Sequence, residues 1–242
     1  MVELVIENLV AGYGNVSVLH DVTINVSEGQ TVALLGTNGN GKSTLMKCVA
    51  GLLKPTSGTI KLIDGDKEID LMSCSPKEIV GHGIAMVPEG RRLFPLLTVE
   101  ENLTLGGYRK EARGKIDETM KFCFELFPRL QERRTQKAGS MSGGEQQMLA
   151  VARALMSVPK MLLIDEPSVG LAPILVSQMI EKIGELSSSR GLTILMAEQN
   201  FNQAIKIADK GYIIVHGEIA FASKDVDDLR DNDMVKSYYL GT

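Results

Sequence analysis

The strongest constraint on this 242-residue chain is one short stretch, Gly36-Thr37-Asn38-Gly39-Asn40-Gly41-Lys42-Ser43-Thr44. It reads Gly, four residues, Gly, Lys, Ser, the spacing of a loop that cradles phosphates. A backbone wrapped around phosphate turns its N–H groups inward. That favours residues without a Cβ or tolerant of positive φ, here three Gly and two Asn. Lys42 is spaced to reach the β- and γ-phosphates of a nucleotide, and the Ser43 hydroxyl to ligate Mg²⁺. The flanks agree. Thr31–Leu35 is a short apolar run of strand type. Leu45, Met46, Val49, Leu52 and Leu53 recur at helical spacing and predict a helix over 42–53, its positive end aimed at the phosphates.

Composition narrows the class. Hydrophobic residues at 44% with 23% charged suit a chain able to bury a core. No uncharged apolar run is long enough to cross a bilayer, and residues 1–10 carry acids and read as a strand rather than a leader. Cys48, Cys74 and Cys123 are odd in number and unpaired in spacing, which suggests reduced packing residues. A net charge of −4 speaks against nucleic acid as the main partner, since phosphate-backbone binders present a basic face. His20, His82 and His216 fall in no metal-ligand or triad pattern.

Along the chain, residues 2–9 and 18–26 read as strands separated by a turn at Ala11-Gly12-Tyr13-Gly14. Tyr13 is an ordinary tyrosine or a flat platform for adenine. Pro55–Gly58 reads as a turn, 59–63 as a strand and Asp64-Gly65 as a hairpin turn. Ser75-Pro76 starts a helix and Ile84–Val87 forms a strand. Residues 89–135 change texture: a basic pair Arg91-Arg92, an apolar patch Leu93–Leu97, a capping box from Thr98, and Ile116, Met120, Phe124 and Phe127 on a helical stripe. The patch reads equally as loop packing or as a docking surface. Ser142-Gly143-Gly144-Glu145 opens a long helix ended by Pro159, with Leu149, Ala152, Leu155 and Met156 on its buried face, and offers a second anion site. Met161–Ile164 delivers Asp165 and Glu166 at a strand's carboxyl end, where ligands of α/β sheets sit. One acid suits Mg²⁺ and the next suits taking a proton from water. Residues 193–197 form a strand ending in Glu198-Gln199. Residues 212–215 and 218–222 make a hairpin around His216-Gly217, and 224–240 reads as one or two acidic helices.

This order of motifs resembles the ATP-binding subunit of ABC transporters across essentially the whole chain. Ser142-Gly143-Gly144-Glu145-Gln146 is similar to the family signature, and Leu162–Pro167 to the Walker B strand. Ser168–Ala172 resembles the D-loop, with Ala172 where many members carry Asp, and Tyr13 resembles the A-loop aromatic. Val87–Arg92, Gly170–Pro173 and Glu198-Gln199-Asn200 resemble one subgroup, the Liv F-type subunit of branched-chain amino-acid importers.

The resemblance implies a P-loop NTPase (RecA-like) α/β core over residues 1–88 and 136–242, with an antiparallel β subdomain and a helical subdomain inserted at 89–135. It implies ATP and Mg²⁺ as ligands. Residues 36–44 and Tyr13 would hold ATP, with Ser43, Asp165 and Glu89 near the metal and Glu166, Lys42, Gln199 and Glu89 at the chemistry. Ser142, Gly143, Gly144 and Glu145 would face the ATP of a second nucleotide-binding subunit arranged head to tail. The expected partners are that subunit, transmembrane permease subunits and, indirectly, a substrate-binding protein. The expected place is the inner face of the cell membrane. Importers of urea or short amides, a lipid exporter, and an ATP-binding regulatory subunit remain open alternatives. A soluble ATPase acting on nucleic acid or ribosomes would show a basic face or a second cassette. A DNA-repair head would need a longer insert for its coiled coil.

Two departures carry chemistry. Glu89 stands where many members have Gln, adding negative charge beside the phosphates, and Gln199 stands where most have His. Gln donates a hydrogen bond but cannot become cationic. Gln199→His is therefore expected to raise ATP turnover of the purified protein. Unchanged or lower turnover removes the support for weakened charge stabilisation.

Overall fold

The computed structural model describes residues 2–232 and 235. The chain opens with β1 (Glu3–Tyr13) and β2 (Val16–Val26), an antiparallel hairpin. It runs further than expected. Gly12 pairs with Ser17 and Tyr13 with Val16, so Ala11 to Tyr13 continue the strand and the reversal falls on Gly14-Asn15. β3 (Thr31–Leu35), buried throughout, leads into the phosphate loop and α1 (Lys42–Val49). The helix stops short of Leu53: Gly51 turns left-handed at φ 69°, and Leu52 is 62% exposed.

β4 (Ser57–Asp64) and β5 (Lys67–Asp70) form a hairpin that turns at Gly65-Asp66, because Asp64 pairs with Lys67. α2 (Pro76–Gly81) carries a reciprocal cap between Ser75 and Glu78, and β6 (Ile84–Val87) follows. Next come α3 (Val99–Gly106), α4 (Lys110–Arg113), α5 (Ile116–Leu126) and α6 (Pro128–Glu132), with Thr98 capping α3 through Glu101. α7 (Gly143–Leu155) begins at Ser142 and ends before Pro159. β7 (Met161–Asp165), α8 (Pro173–Arg190), β8 (Thr193–Glu198), α9 (Phe201–Ala204), β9 (Lys210–Val215), β10 (Glu218–Ala222) and α10 (Val226–Asp231) complete the described chain. Of the acidic helices expected over 224–240, α10 is one, and most of the remainder lies outside the described residues.

The strands make two sheets, one ordered β2-β1-β4-β5 and the other β10-β9-β3-β8-β7-β6. The first is antiparallel. In the second, β9, β3, β8, β7 and β6 run parallel and β10 pairs antiparallel at the edge. A parallel sheet is covered on both faces, so β3, β7 and β8 are apolar between their ends, and alternate residues enter different cores. Ala33, Leu35, Leu162, Ile164, Ile194 and Met196 join the core built with α5, α7 and α8. Val32, Leu34, Leu163, Leu195 and Ala197 join the core shared with α1 and the antiparallel sheet. Each such aliphatic side chain contributes roughly 1.5–3 kcal/mol by leaving water.

A close backbone contact ties the two sheets together. His20 of β2 donates its N–H to Gly217 O at 2.8 Å. Gly217 has φ 82°, and a Cβ there would sit 1.9 Å from Val18 O. Gly217→Ala is therefore expected to cost about 2–4 kcal/mol, read as a lower denaturation midpoint at unchanged slope.

Candidate functional site

The phosphate loop leaves β3 at Gly36, whose position needs the absence of a side chain: a Cβ would lie 2.7 Å from Ile214 O. Within the loop only Gly39 (φ 85°) and Gly41 (φ 100°) take left-handed backbone. The Asn residues do other work than expected. Asn40, 5% exposed, donates to Thr37 Oγ1 at 2.9 Å and accepts the His216 N–H at 3.0 Å, pinning the loop to the β9–β10 turn. α1 begins with neither a side-chain cap nor an acid in its first turn, so its leading N–H groups are left for an anion.

Lys42 is 3% exposed and points back across the loop. Its Nζ donates to Gly36 O at 2.8 Å and Thr37 O at 3.1 Å and pairs with Glu166 Oε1 at 2.9 Å. Ser43 Oγ donates to Asp165 Oδ1 at 3.0 Å. β7 delivers Asp165. Glu166 follows at φ 49°, a left-handed backbone unusual for Glu, held by its N–H to Ala197 O at 2.9 Å. Lys42, Ser43, Glu89, Glu166 and Asn38 line one open depression. Burial pushes the Asp165 carboxyl up to about 6, and the charges of Glu166 and Glu89 add to this against the Ser43 hydrogen bond and Lys42. The depression thus holds more carboxylate than cation. Among the described residues no three His, Cys, Asp or Glu gather closely enough to hold a metal by themselves. A hydroxyl beside a carboxylate at a phosphate loop suits Mg²⁺, which keeps waters and takes phosphate oxygens.

The remaining sequence candidates are distributed around this depression. Tyr13 ends β1 with its ring 46% exposed, its Oη 3.5 Å from Thr44 Oγ1 and the Lys47 Nζ 5.5 Å from its centroid. Gln199 is exposed beyond β8 and does not line the depression. Neither do Ser142, Gly143, Gly144 and Glu145, which form the start of α7. There Ser142 Oγ accepts the Glu145 N–H at 3.4 Å, and the Glu145 carboxylate takes the Ser142 N–H at 2.9 Å and pairs with Arg133. Glu145 is thus committed to shaping the helix start. The basic pair has left-handed backbone, φ 66° at Arg91 and 47° at Arg92, and Arg91 Nη1 reaches Gln146 Oε1 of α7 at 3.2 Å.

Two buried polar residues have structural roles that the sequence does not assign to them. Asn102, fully buried in α3, accepts the Phe94 N–H and donates to the carbonyls of Phe94, Leu97 and Thr98, fixing the loop that carries the apolar patch. Its signal was an amide between Val99 and Leu103 on an apolar helix face. Glu198, fully buried at the end of β8, accepts backbone N–H groups from Ser168, Gln199 and Asn200.

Residues 19–169 match the family model described as ABC transporter. A high-affinity branched-chain amino acid transport ATP-binding protein of Pseudomonas aeruginosa, BraG, is 47% identical over 95% of each chain. A probable branched-chain amino acid transport ATP-binding protein of Archaeoglobus fulgidus, LivF, is 38% identical over 87% of each. Among solved structures, the ADP conformation of an ATP-binding cassette of an ABC transporter superposes with TM-score 0.83 at 28% identity, covering 100% of both chains. A dimeric bacterial ABC transporter cassette gives TM-score 0.79 at 26% identity over 91% of this chain and 98% of its own.

The raised carboxyl of Asp165 has a consequence for stability. Between about pH 4 and pH 6 the folded chain holds a proton that the unfolded chain has released, so this group's contribution to stability falls as pH rises through that window. Above it the ionised carboxylate costs the fold on the order of 3 kcal/mol. Asp165→Asn is expected to raise the melting temperature of nucleotide-free protein more at about pH 7.5 than at about pH 4.5. Equal shifts at both pH values would exclude the Asp165 charge as the cause.

Proposed function

The chain belongs to the ABC transporter family as an ATP-binding subunit that hydrolyses ATP, and from that premise we propose that it powers an importer of branched-chain amino acids. The observation that carries the reading is the convergence of Lys42, Ser43, Asp165 and Glu166 at the carboxyl ends of β3 and β7. The relatives named for branched-chain amino acid transport support the substrate class.

In this reading ATP lies with its phosphates over residues 36–44, held by the loop N–H groups, the start of α1 and Lys42, with its adenine against Tyr13. Mg²⁺ held by Ser43 and, through its water shell, by Asp165 would neutralise phosphate charge. Glu89 lines the same depression and would add its carboxylate to that cation's surroundings. Phosphates entering the loop replace Glu166 as the counter-ion of Lys42. Glu166 is then free to take the proton of the water that attacks the γ-phosphorus, while Gln199 donates a hydrogen bond to the phosphoryl oxygens. ADP and phosphate are the products.

Ser142, Gly143 and Gly144 form the start of α7 rather than part of the depression. A second nucleotide-binding subunit, a paralogue or another copy, placed head to tail brings its phosphates onto them. The dimeric cassette among the structural neighbours supports such a pairing. No helix among the described residues is long and apolar enough to cross a membrane, so permease subunits supply the path and a substrate-binding protein the cargo. A groove lined by Met86, Arg92, Phe94, Leu105, Tyr108 and Arg153 leaves large apolar side chains in water, with Phe94 49% and Tyr108 54% exposed. Beside the loop that follows Glu89, it is the surface we assign to the permease, at the inner face of the cell membrane.

Removing the proposed base tests the reading. Glu166→Gln is expected to lower ATP turnover by about 10²–10⁴-fold while the protein still dimerises in ATP and Mg²⁺ by light scattering. Wild-type turnover in the variant would remove Glu166 from the role of base.

A further inference from the structure

Glu198 has no place in the mechanism above, yet it is a carboxylate at 0% exposure. Among the described residues no Lys, Arg or His forms an ion pair with it. Its charge is held by backbone dipoles. Oε1 accepts the N–H of Ser168 at 3.1 Å, and Oε2 accepts those of Gln199 at 2.8 Å and Asn200 at 2.9 Å. Its carbonyl oxygen takes the N–H of Gly36 at 3.4 Å. One residue therefore touches the phosphate loop, the loop after Glu166, and the segment carrying Gln199.

The residue type follows from the donors. N–H groups converge from two directions, and only a carboxylate offers acceptors both ways without a donor of its own. A Gln would aim its NH₂ at one set of N–H groups, and a shorter Asp would reach only the neighbouring pair. Burying a charge costs heavily unless hydrogen bonds replace its water, and local capping of residues 199–200 requires nothing longer than Asp. The extra methylene is used to reach Ser168, thirty positions away in sequence.

We infer that Glu198 is a positioning residue that binds the Ser168–Leu171 loop to Gln199, so that the two move as one body when phosphate engages Gln199. The inference rests on the proposed function, in which Gln199 meets the γ-phosphate and Ser142–Gly144 face the second subunit; the 168–171 loop lies beside that face, since Arg91 Nη2 sits 3.1 Å from the position a Cβ would take on Gly143 and 3.5 Å from that on Gly170. Nucleotide occupancy sensed at Gln199 is then relayed to the subunit interface through a buried carboxylate, with no side chain crossing between the loops in the open.

Amide hydrogen exchange of the whole chain with and without ATP and Mg²⁺, in the Glu166→Gln background, tests this. Protection of residues 36–44 reports nucleotide binding itself, and its absence sinks the proposed function rather than the link. With the link, 168–171 and 199–200 gain protection together. Glu198→Asp keeps the local cap and is expected to abolish the gain at 168–171 alone. Gln199→Ala, a truncation on the exposed surface that leaves the fold intact, abolishes the same gain while Glu198 remains. Steady-state kinetics in the Glu166 background of the natural chain give the second readout. Glu198→Asp is expected to lower kcat about tenfold with KM for ATP within about threefold, and Glu198→Asp/Gln199→Ala to be no slower than the slower single variant. Unchanged kcat in Glu198→Asp, additive losses in the double variant, or protection of 168–171 that survives either substitution would overturn the link.

Discussion

The rest of the structure depends on the register of three central strands. Leu35 of β3 lies opposite Glu198 of β8, and Ala197 of β8 opposite Asp165 of β7. A parallel sheet covered on both faces leaves the middles of β3, β7 and β8 apolar. Polarity enters where the strands stop. Because β3, β8 and β7 stop at nearly the same level, the phosphate loop, Glu198 and the Asp165-Glu166 pair emerge side by side. The fold thereby concentrates acids at a poorly hydrated edge, and each acid is given a different remedy. Ser43 donates to Asp165, Lys42 pairs with Glu166, and three backbone amides hold Glu198. The remedies differ in how easily substrate undoes them. A lysine can exchange one anion for another, whereas amides fixed by loop geometry cannot.

Much of this was legible in the chain because the signals were local. The Gly-rich loop, the apolar strands and the Ser75, Thr98 and Ser142 caps each depend on residues within a few positions, and the structure forms all three caps. What escaped depends on pairing or contacts that the residue types alone do not show. Ala11-Gly12-Tyr13 looks like a turn until β2 supplies Ser17 and Val16 across the ladder. Leu52 fits the helical stripe, yet Gly51 had already ended the helix with Ile79 and Pro76 packed against it. Asn38 and Asn40 suited left-handed backbone by type, but the loop assigns that conformation to Gly39 and Gly41 and uses the Asn40 amide as a tie to His216. Glu198 was visible as the polar end of an apolar strand. Nothing nearby in sequence indicates that its carboxylate turns inward to a loop thirty residues earlier.

The charge balance of the site looks wrong for a polyanion, with Asp165, Glu166 and Glu89 facing Lys42 as the lone lysine of the depression. The Lys42–Glu166 contact resolves this. The cation is already paired with the residue assigned as base, and both are buried, with Lys42 3% and Glu166 8% exposed. A buried pair gains its attraction only by giving up hydration, so exchanging Glu166 for phosphate costs little net Coulomb energy while the loop N–H groups add new hydrogen bonds. The exchange has a directional effect. In the proposed mechanism Glu166 would become an unpaired base only after phosphate holds Lys42, which would confine base catalysis to the occupied site. In the same proposal Asp165, whose carboxyl is raised to about 6 by burial, would give a divalent cation a place where its charge is needed most. In that proposal the acid excess that would repel ATP alone would favour ATP arriving with its metal.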